Sequence, residues 1–177
     1  IPESYVYLDH ECAYRARIRH LVIGRNVKEI RGGAFGNSTT LEDLDFASGI
    51  NNLKIGTLAF GECKSMKHIA LSEGIYSIGS NAFSNSQNLE SIRLPESLIY
   101  IGTESFKNCL ALNSITIPEN VDKIGKDAFS LCPFTDIYLT TTDPEKIPEI
   151  FTGGNSFDNW GVGASFNHGH YDGWEAL

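Results

Sequence analysis

The apolar residues of this chain recur with one fixed period. From Ile78, an Ile-Gly pair is followed by Ala-Phe, by a small residue, and then by an apolar alternation that ends in Leu-Pro. The same pattern restarts at Ile101, 23 residues later. Further copies begin at Ile30, Ile55 and Ile124, which makes five copies in phase. A period this short predicts a protein built from repeated structural units.

Each copy predicts one coil of a solenoid. A unit of 23 residues cannot enclose its own apolar side chains, so neighbouring units must stack and share a continuous core. The segment Leu-x-x-Ile-x-Leu ends with the alternation of a short half-buried strand, and Pro95 and Pro118 fit the end of that strand. The small polar residues before Ala-Phe predict a capped helical or 3₁₀ turn on the opposite side of the coil.

These residues resemble the BspA-type leucine-rich repeat family, whose signature is Ile-Gly-x-x-Ala-Phe-x-x-Cys-x-x-Leu-x-x-Ile-x-Leu-Pro. The resemblance is close over about residues 18 to 139. It implies an α/β fold, a right-handed leucine-rich repeat solenoid with short parallel strands on one face and helical or 3₁₀ turns on the other. It also implies a secreted or cell-surface protein that adheres to host matrix proteins or to other cells.

The repeat pattern predicts a single domain over residues 1–177, with a cap coil at 1–29, regular repeats at 30–139, and a degenerate coil with a cap at 140–177. Counting back 48 residues from Ile55 places Tyr7 at the Ile position and Cys12 at the Phe position. The segment Gly154-Asn155-Ser156-Phe157 predicts an altered seventh coil. The aromatic residues after it predict either a cap on the core or a ligand pocket: Trp160, Phe166, Tyr171 and Trp174.

Composition and charge exclude several classes of protein. The formal net charge is −8 and no cluster of Lys and Arg is present, which argues against binding to nucleic acid or to an anionic membrane. No apolar run approaches the roughly 18 residues that span a bilayer, so we expect no membrane insertion in this segment. The sequence begins at Ile1 and has no signal peptide, so we expect it to be a piece of a longer exported product. We expect a monomer.

Three of the four cysteines share one position of the repeat. Cys63, Cys109 and Cys132 stand where Ser38 and Ser86 stand in other copies. A position that accepts Cys or Ser predicts a small buried residue bonded to the turn backbone. A bridge between Cys109 and Cys132 is the alternative, because adjacent coils are about 5 Å apart.

The sequence contains no convincing catalytic constellation, so we expect neither an enzyme nor a cofactor. Two histidine groupings have the residue types of a zinc site. His20, Asp43 and His68 occupy equivalent outward strand positions, and His168, His170 and Asp172 are close in sequence. We interpret the first group as solvated side chains and the second as a tail, and predict no metal.

Binding residues are predicted on the outward side of the strands, because the inward side is committed to packing. We call this surface the strand face. Its two columns of side chains are His20, Asp43, His68, Ser91, Ser114 and Asp136, and Val22, Asp45, Ala70, Arg93, Thr116 and Tyr138. Arg93 and Tyr138 are the residue types that most often anchor protein interfaces.

The sequence therefore predicts a non-enzymatic, extracellular or cell-surface module that binds a protein. The predicted contact residues are Arg93, Tyr138, Asp45, Asp43, Asp136, His68, His20 and Thr116. A structural spacer that holds another domain away from a cell envelope is the main alternative. Glycan recognition would require stacked exposed aromatic residues, and the strand face offers only Tyr138.

Overall fold

The computed structural model describes residues 7–141 and the backbone of residues 165–168. These residues form a parallel-strand β-solenoid of about six coils, which confirms the predicted class of fold. Every strand pair within it is parallel. No helix in the described part of the chain is long and apolar enough to cross a membrane.

Each full coil contributes two short strands, where the sequence pattern predicts one. The first strand contains the Ile of the Ile-Gly pair, and the second is the predicted Ile-x-Leu strand. In chain order the strands are β1 Tyr7–Leu8, β2 His20–Ile23, β3 Glu29–Ile30, β4 Asp43–Phe46, β5 Leu53–Ile55, β6 His68–Ala70, β7 Ile75–Ile78, β8 Ser91–Arg93, β9 Tyr100–Ile101, β10 Ser114–Ile117, β11 Lys123–Ile124, β12 Asp136–Leu139 and β13 Ser165–His168.

The odd-numbered strands up to β11 form one continuous six-stranded sheet, which we call the Ile sheet. The remaining strands form the strand face in three hydrogen-bonded pieces, β2-β4, β6-β8 and β10-β12-β13. β4 also lies against β6, and β8 against β10, so the three pieces follow one another along the solenoid.

The segments that contain Ala-Phe are turns in the described coils, so the prediction of helical or 3₁₀ turns is wrong. Leu58 and Glu62 have φ angles of 58° and 61°, in the left-handed region that a right-handed helix cannot include. The amide of Phe60 therefore donates to the carbonyl of Ala82 in the next coil at 2.8 Å, whereas Gly61 donates to Leu58 within its own coil at 3.1 Å. Alternate amides thus join neighbouring coils.

The Gly of each Ile-Gly pair is required by this close approach of coils. A Cβ atom added to Gly102 would lie 2.5 Å from the carbonyl carbon of Gly79 and 2.6 Å from the nitrogen of Ser80. Both atoms belong to backbone, so a side chain at this position would push two coils apart.

A column of stacked phenylalanine rings runs through the core. Each of the four consecutive ring pairs has centroids 5.3 to 5.5 Å apart and planes within 12° of parallel. The rings belong to Phe35, Phe60, Phe83, Phe106 and Phe129. Phe134 lies edge-on to Phe129, with an interplanar angle of 64°. The column and the inward residues of both sheets form a single apolar cluster.

The first coil differs from the prediction by one residue. Leu8, and not Tyr7, pairs with Ile30 and is buried, so Leu8 holds the Ile position. Ala13 then takes the Phe position instead of Cys12, since its amide donates to the carbonyl of Ala34. The coil is one residue shorter than the count of 48 assumes, and the apolar Leu8 decides the register because burial outweighs spacing.

The described backbone after β12 continues the repeat. β13 pairs with β12, and Phe166 lies beside Ile137 in register. Phe166 follows Phe157 by nine residues, the same spacing that separates Phe106 from Ile115. A seventh strand is therefore present where the altered coil is predicted. Residues 154–157, Trp160, Tyr171 and Trp174 lie outside the described residues, and the boundaries of the two caps stay a prediction.

Candidate functional site

The strand register brings the predicted contact residues onto one surface. His20 pairs with Asp43, and Val22 with Asp45, across β2 and β4. Thr116 pairs with Tyr138 across β10 and β12 in the same manner. Because successive residues of a strand point to opposite sides, burial alternates along these strands and the two outward columns reach the surface.

Charge pairs cover the amino-terminal part of the strand face. His20 Nε2 lies 2.7 Å from Asp45 Oδ2, on a diagonal across the two strands. Arg19 Nη2 donates to Glu42 Oε2 at 2.8 Å beside them, and this hydrogen bond raises the pKa of the Arg19 guanidinium. The Arg19 guanidinium acts on the Asp43 carboxylate only through longer-range charge. The carboxylate of Asp43 has no hydrogen bond or ion pair with any described residue.

The middle of the strand face carries polar side chains and the small side chain of Ala70. His68 Nδ1 lies 3.0 Å from the hydroxyl oxygen of Ser91, and its Nε2 lies 3.8 Å from Glu90. Ala70 and Arg93 stand next to each other in register. Neither Glu90 nor the His68–Ser91 contact is predicted by the repeat, because side-chain rotamers decide which neighbours meet.

Histidines and carboxylates do not converge on a metal ion here. Among residues 7–141, no group of three His, Cys, Asp or Glu side chains is arranged to hold one. The imidazole of His20 contacts the carboxylate of Asp45 and not that of Asp43, so the side chains of His20, Asp43 and His68 do not form a metal-binding group. The backbone of His168 pairs with Leu139, while His170 and Asp172 lie outside the described residues.

A shallow depression of about 440 Å³ opens across β4, β6 and β8. Asp43 and Asp45 line one side, Arg93 lines the other, and Ala70 lies between them. Arg93 also lines a neighbouring depression of about 370 Å³, together with Thr116. The guanidinium of Arg93 thus separates two concave areas of the strand face.

The carboxy-terminal part of the face carries Tyr138 and Asp136. Tyr138 is 41% exposed, so its ring is available for contact. Asp136 is half-buried and accepts a hydrogen bond from Thr135 Oγ1 at 2.9 Å. β13 extends this part of the sheet by one further strand.

The Ile sheet presents a second outward surface that the sequence pattern did not reveal. Tyr76 and Tyr100 are partly exposed there, and Ile99 and Lys123 are exposed. Its strands are mostly two residues long, too short for an apolar alternation to be recognised. The recurring Ile-x-x-Ile spacing before Gly79 was the available signal.

The shared Cys and Ser position is buried, and four of its five residues bond to the turn backbone as predicted, whereas the hydroxyl of Ser86 has no partner among the described residues. The thiols of Cys63, Cys109 and Cys132 each contact the carbonyl of a Phe in the preceding coil, at 3.1 to 3.4 Å. All four cysteines are free. Burial raises the pKa of Cys63 to about 12. A hydrogen bond with Cys132, followed by burial, raises the pKa of Cys109. The thiols of Cys63 and Cys109 therefore stay protonated and serve packing.

A family model described as a BspA type leucine rich repeat region, in six copies, matches residues 6–136 and 50–158 of the chain. A search among curated proteins found no match.

Two solved structures are similar. A leucine rich repeat protein from T. pallidum is 28% identical, with a TM-score of 0.64 over 68% of this chain and 58% of that one. A leucine-rich repeat protein from Bacteroides ovatus ATCC 8483 is 25% identical, with a TM-score of 0.54 over 76% of this chain and 43% of that one. The chain thus spans about half the length of these two proteins.

Proposed function

The chain belongs to the BspA type leucine-rich repeat family, and from that premise we propose that it is a non-enzymatic module that binds a protein partner on its strand face. The partner is a matrix or cell-surface protein, and the module works in the extracellular space or at a cell surface. Architecture alone does not define an activity, so the proposal depends on the chemistry of the face.

The supporting observation is the contrast between the inward and outward positions of the same strands. Inward positions hold buried apolar residues in every described coil. Outward positions vary along the solenoid, and one column reads Val22, Asp45, Ala70, Arg93, Thr116 and Tyr138. Packing does not require this variety, whereas recognition of a particular surface does.

Arg93 and Tyr138 are the first candidates for anchoring a partner. Arg93 has a planar guanidinium that can make two hydrogen bonds at once, and no described residue forms an ion pair with it. Tyr138 offers an exposed aromatic ring with a polar end. Asp43, Asp45 and Asp136 add acidic groups at both ends of the face.

The test combines Arg93→Glu with Tyr138→Ala and measures capture of candidate matrix proteins on a surface. Lys123→Glu combined with Tyr100→Ala is the matched control, since it makes the same kinds of change on the Ile sheet. We expect the first pair to lose capture by at least tenfold and the second to retain it. Capture lost only in the control pair would move the partner to the Ile sheet.

A structural spacer is the second candidate, and the continuous column of stacked rings favours it. Parallel rings about 5.3 Å apart in successive coils are typical of a stiff rod. A spacer function depends on length and is indifferent to surface chemistry. Deleting one whole coil, residues 78–100, keeps the repeat in phase and shortens the rod by about 5 Å. Function that falls with each deleted coil but tolerates both surface variants would identify a spacer.

A further inference from the structure

Two opposite charges line the same depression of the strand face without partners. Asp43 and Arg93 lie on opposite sides of it, and the diagonal between them crosses β6 between His68 and Ala70. Neither side chain has a hydrogen bond or ion pair with any residue that the structure describes. Other charged side chains on the strand face are paired, as in Arg19 with Glu42 at 2.8 Å and His20 with Asp45 at 2.7 Å.

Two carboxylates that line these depressions are occupied. Asp45 lines the same depression, but His20 lies 2.7 Å from its carboxylate. Glu73 lines the neighbouring depression with Arg93, yet its two oxygens accept the backbone amides of Glu96 and Ser97, each at 3.2 Å. Arg93 therefore forms no ion pair with any described residue, although Glu73 and Glu96 line the neighbouring depression with it.

The register fixes the separation of the two charges. Asp43 on β4 and Arg93 on β8 are two strands apart, which is about 10 Å across the sheet, and two residues apart along the strand direction, which is about 7 Å. Their backbones are therefore about 12 Å apart on the diagonal. The small side chain of Ala70 leaves room for a ligand on one side of this diagonal, and the imidazole-bearing His68 lies on the other side.

An extended peptide has charges at this distance when they are four residues apart. Extended chain advances about 3.3 Å per residue, so four residues cover about 13 Å, whereas two cover only about 7 Å. A spacing of three residues gives about 10 Å but directs the two side chains to opposite sides of the peptide. Only the spacing of four combines a suitable distance with a common direction.

We propose that the depression binds an extended peptide segment that carries a basic residue and, four residues away, an acidic residue. The basic side chain pairs with Asp43 and the acidic side chain pairs with Arg93, bidentately where its geometry allows. This inference rests on the proposed protein-binding function and defines the class of partner sequence that the face selects.

The test uses synthetic peptides in an extended, threonine-rich background and follows backbone amide signals of the full chain by NMR. The probes are Lys-x-x-x-Glu, Lys-x-x-x-Gln, Lys-x-x-x-Lys and the three-residue spacing Lys-x-x-Glu. We expect Lys-x-x-x-Glu to shift the amides of His68, Ala70 and Ser91 and to bind at least fivefold tighter than the other three.

Charge reversal gives the decisive comparison. In Arg93→Glu, Lys-x-x-x-Lys should bind at least fivefold tighter than Lys-x-x-x-Glu, whereas Lys123→Glu on the Ile sheet should leave the original preference unchanged. Absence of binding by all four peptides, or binding without reversal in Arg93→Glu, would overturn the inference. Protein capture that still depends on Arg93 and Tyr138 would then leave the broader proposal intact, and capture independent of both would remove it as well.

Discussion

The rings of Phe83 and Phe106 lie parallel, with centroids 5.3 Å apart and planes 3° from each other. They are 23 residues apart in the sequence and occupy the same position of successive coils. Both are fully buried. The contact shows that the core of this solenoid is shared between coils, since each ring is covered by the rings of its neighbours.

Replacing Phe83 by Ala should lower the free energy of unfolding by about 3 to 5 kcal/mol, because the stacked coils on either side cannot close the cavity. Urea unfolding followed by circular dichroism measures the loss. Tyr138→Ala is the control, as this exposed aromatic should cost no more than about 0.5 kcal/mol. Equal losses in the two variants would contradict a shared aromatic column.

The sequence predicts this column because each ring must be buried and no coil can bury it alone. The same reasoning gives the inward positions of β4 to β12 and, through alternation, the outward columns of the strand face. The repeat pattern does not predict the backbone conformation of the turns, because that conformation depends on single residues. Asn81 and Asn85 have left-handed φ angles of 56° and 59°, and asparagine at such regular positions was the signal against a helical turn.

The repeat pattern also could not predict which charged side chains pair on the strand face. Equivalent strand positions place His20 beside Asp43, but the imidazole contacts Asp45 on the diagonal. Strand register fixes Cβ positions, whereas the rotamers of long polar side chains decide between direct and diagonal neighbours. The unpaired state of Asp43 and Arg93 was therefore visible only in the structure.

Leu131 offers a test of the left-handed turn positions. Its φ angle is 64°, although it has neither the freedom of Gly nor the local hydrogen bonds of Asn. Asn108 holds the equivalent position one coil earlier and donates from its side chain to Asn85 at 2.7 Å. We expect Leu131→Asn to raise the free energy of unfolding by about 1 kcal/mol, by relieving strain and extending this ladder.

Leu110 provides the control for that substitution. It is 52% exposed, against 44% for Leu131, but it is not among the residues with a positive φ angle. Leu110→Asn should therefore change stability by less than about 0.5 kcal/mol. Urea unfolding of the two variants separates backbone strain from loss of an exposed apolar side chain, and an equal effect at both positions would rule out strain.

Removing the hydroxyl of Ser105 should make the folded protein more stable. Its Oγ atom is buried and has no hydrogen-bond partner among the described residues. The equivalent residue in neighbouring coils is Ala82 or Ala128, both fully buried. Because an unsatisfied buried hydroxyl costs about 1 to 3 kcal/mol, we expect Ser105→Ala to raise the free energy of unfolding by about 1 kcal/mol.

Ser84 is the matched comparison for this change. Its hydroxyl is also in a buried residue but donates to the carbonyl of Asn81 at 3.2 Å. Ser84→Ala should lower stability by about 0.5 to 1.5 kcal/mol, since a satisfied hydrogen bond is lost. Opposite signs in thermal and urea unfolding support the assignment, whereas destabilisation by both changes would mean that Ser105 is bonded in solution.

Because of the Cys63 thiol, the free energy of unfolding of the protein should fall at alkaline pH. Burial raises its pKa from 9.0 to about 12, so between these two values the unfolded chain loses the thiol proton while the folded chain keeps it. The unfolded state then binds fewer protons, and linkage requires the free energy of unfolding to decrease as pH rises. The contribution of the protonated Cys63 thiol to stability is complete below pH 9 and is lost by pH 12. Between these values the free energy of unfolding falls by about 1.4 kcal/mol per pH unit.

Cys63→Ser isolates this contribution from other groups that titrate at high pH, because serine stays neutral there. Ser38 occupies the same position one coil earlier and bonds to the carbonyl of Ala13 at 3.3 Å, so the site accepts serine. Urea unfolding at pH 8, 9.5 and 10.5 should show the parent chain losing stability faster than the variant above pH 9. Parallel pH profiles for the two proteins would show that the Cys63 thiol ionises equally readily in both states.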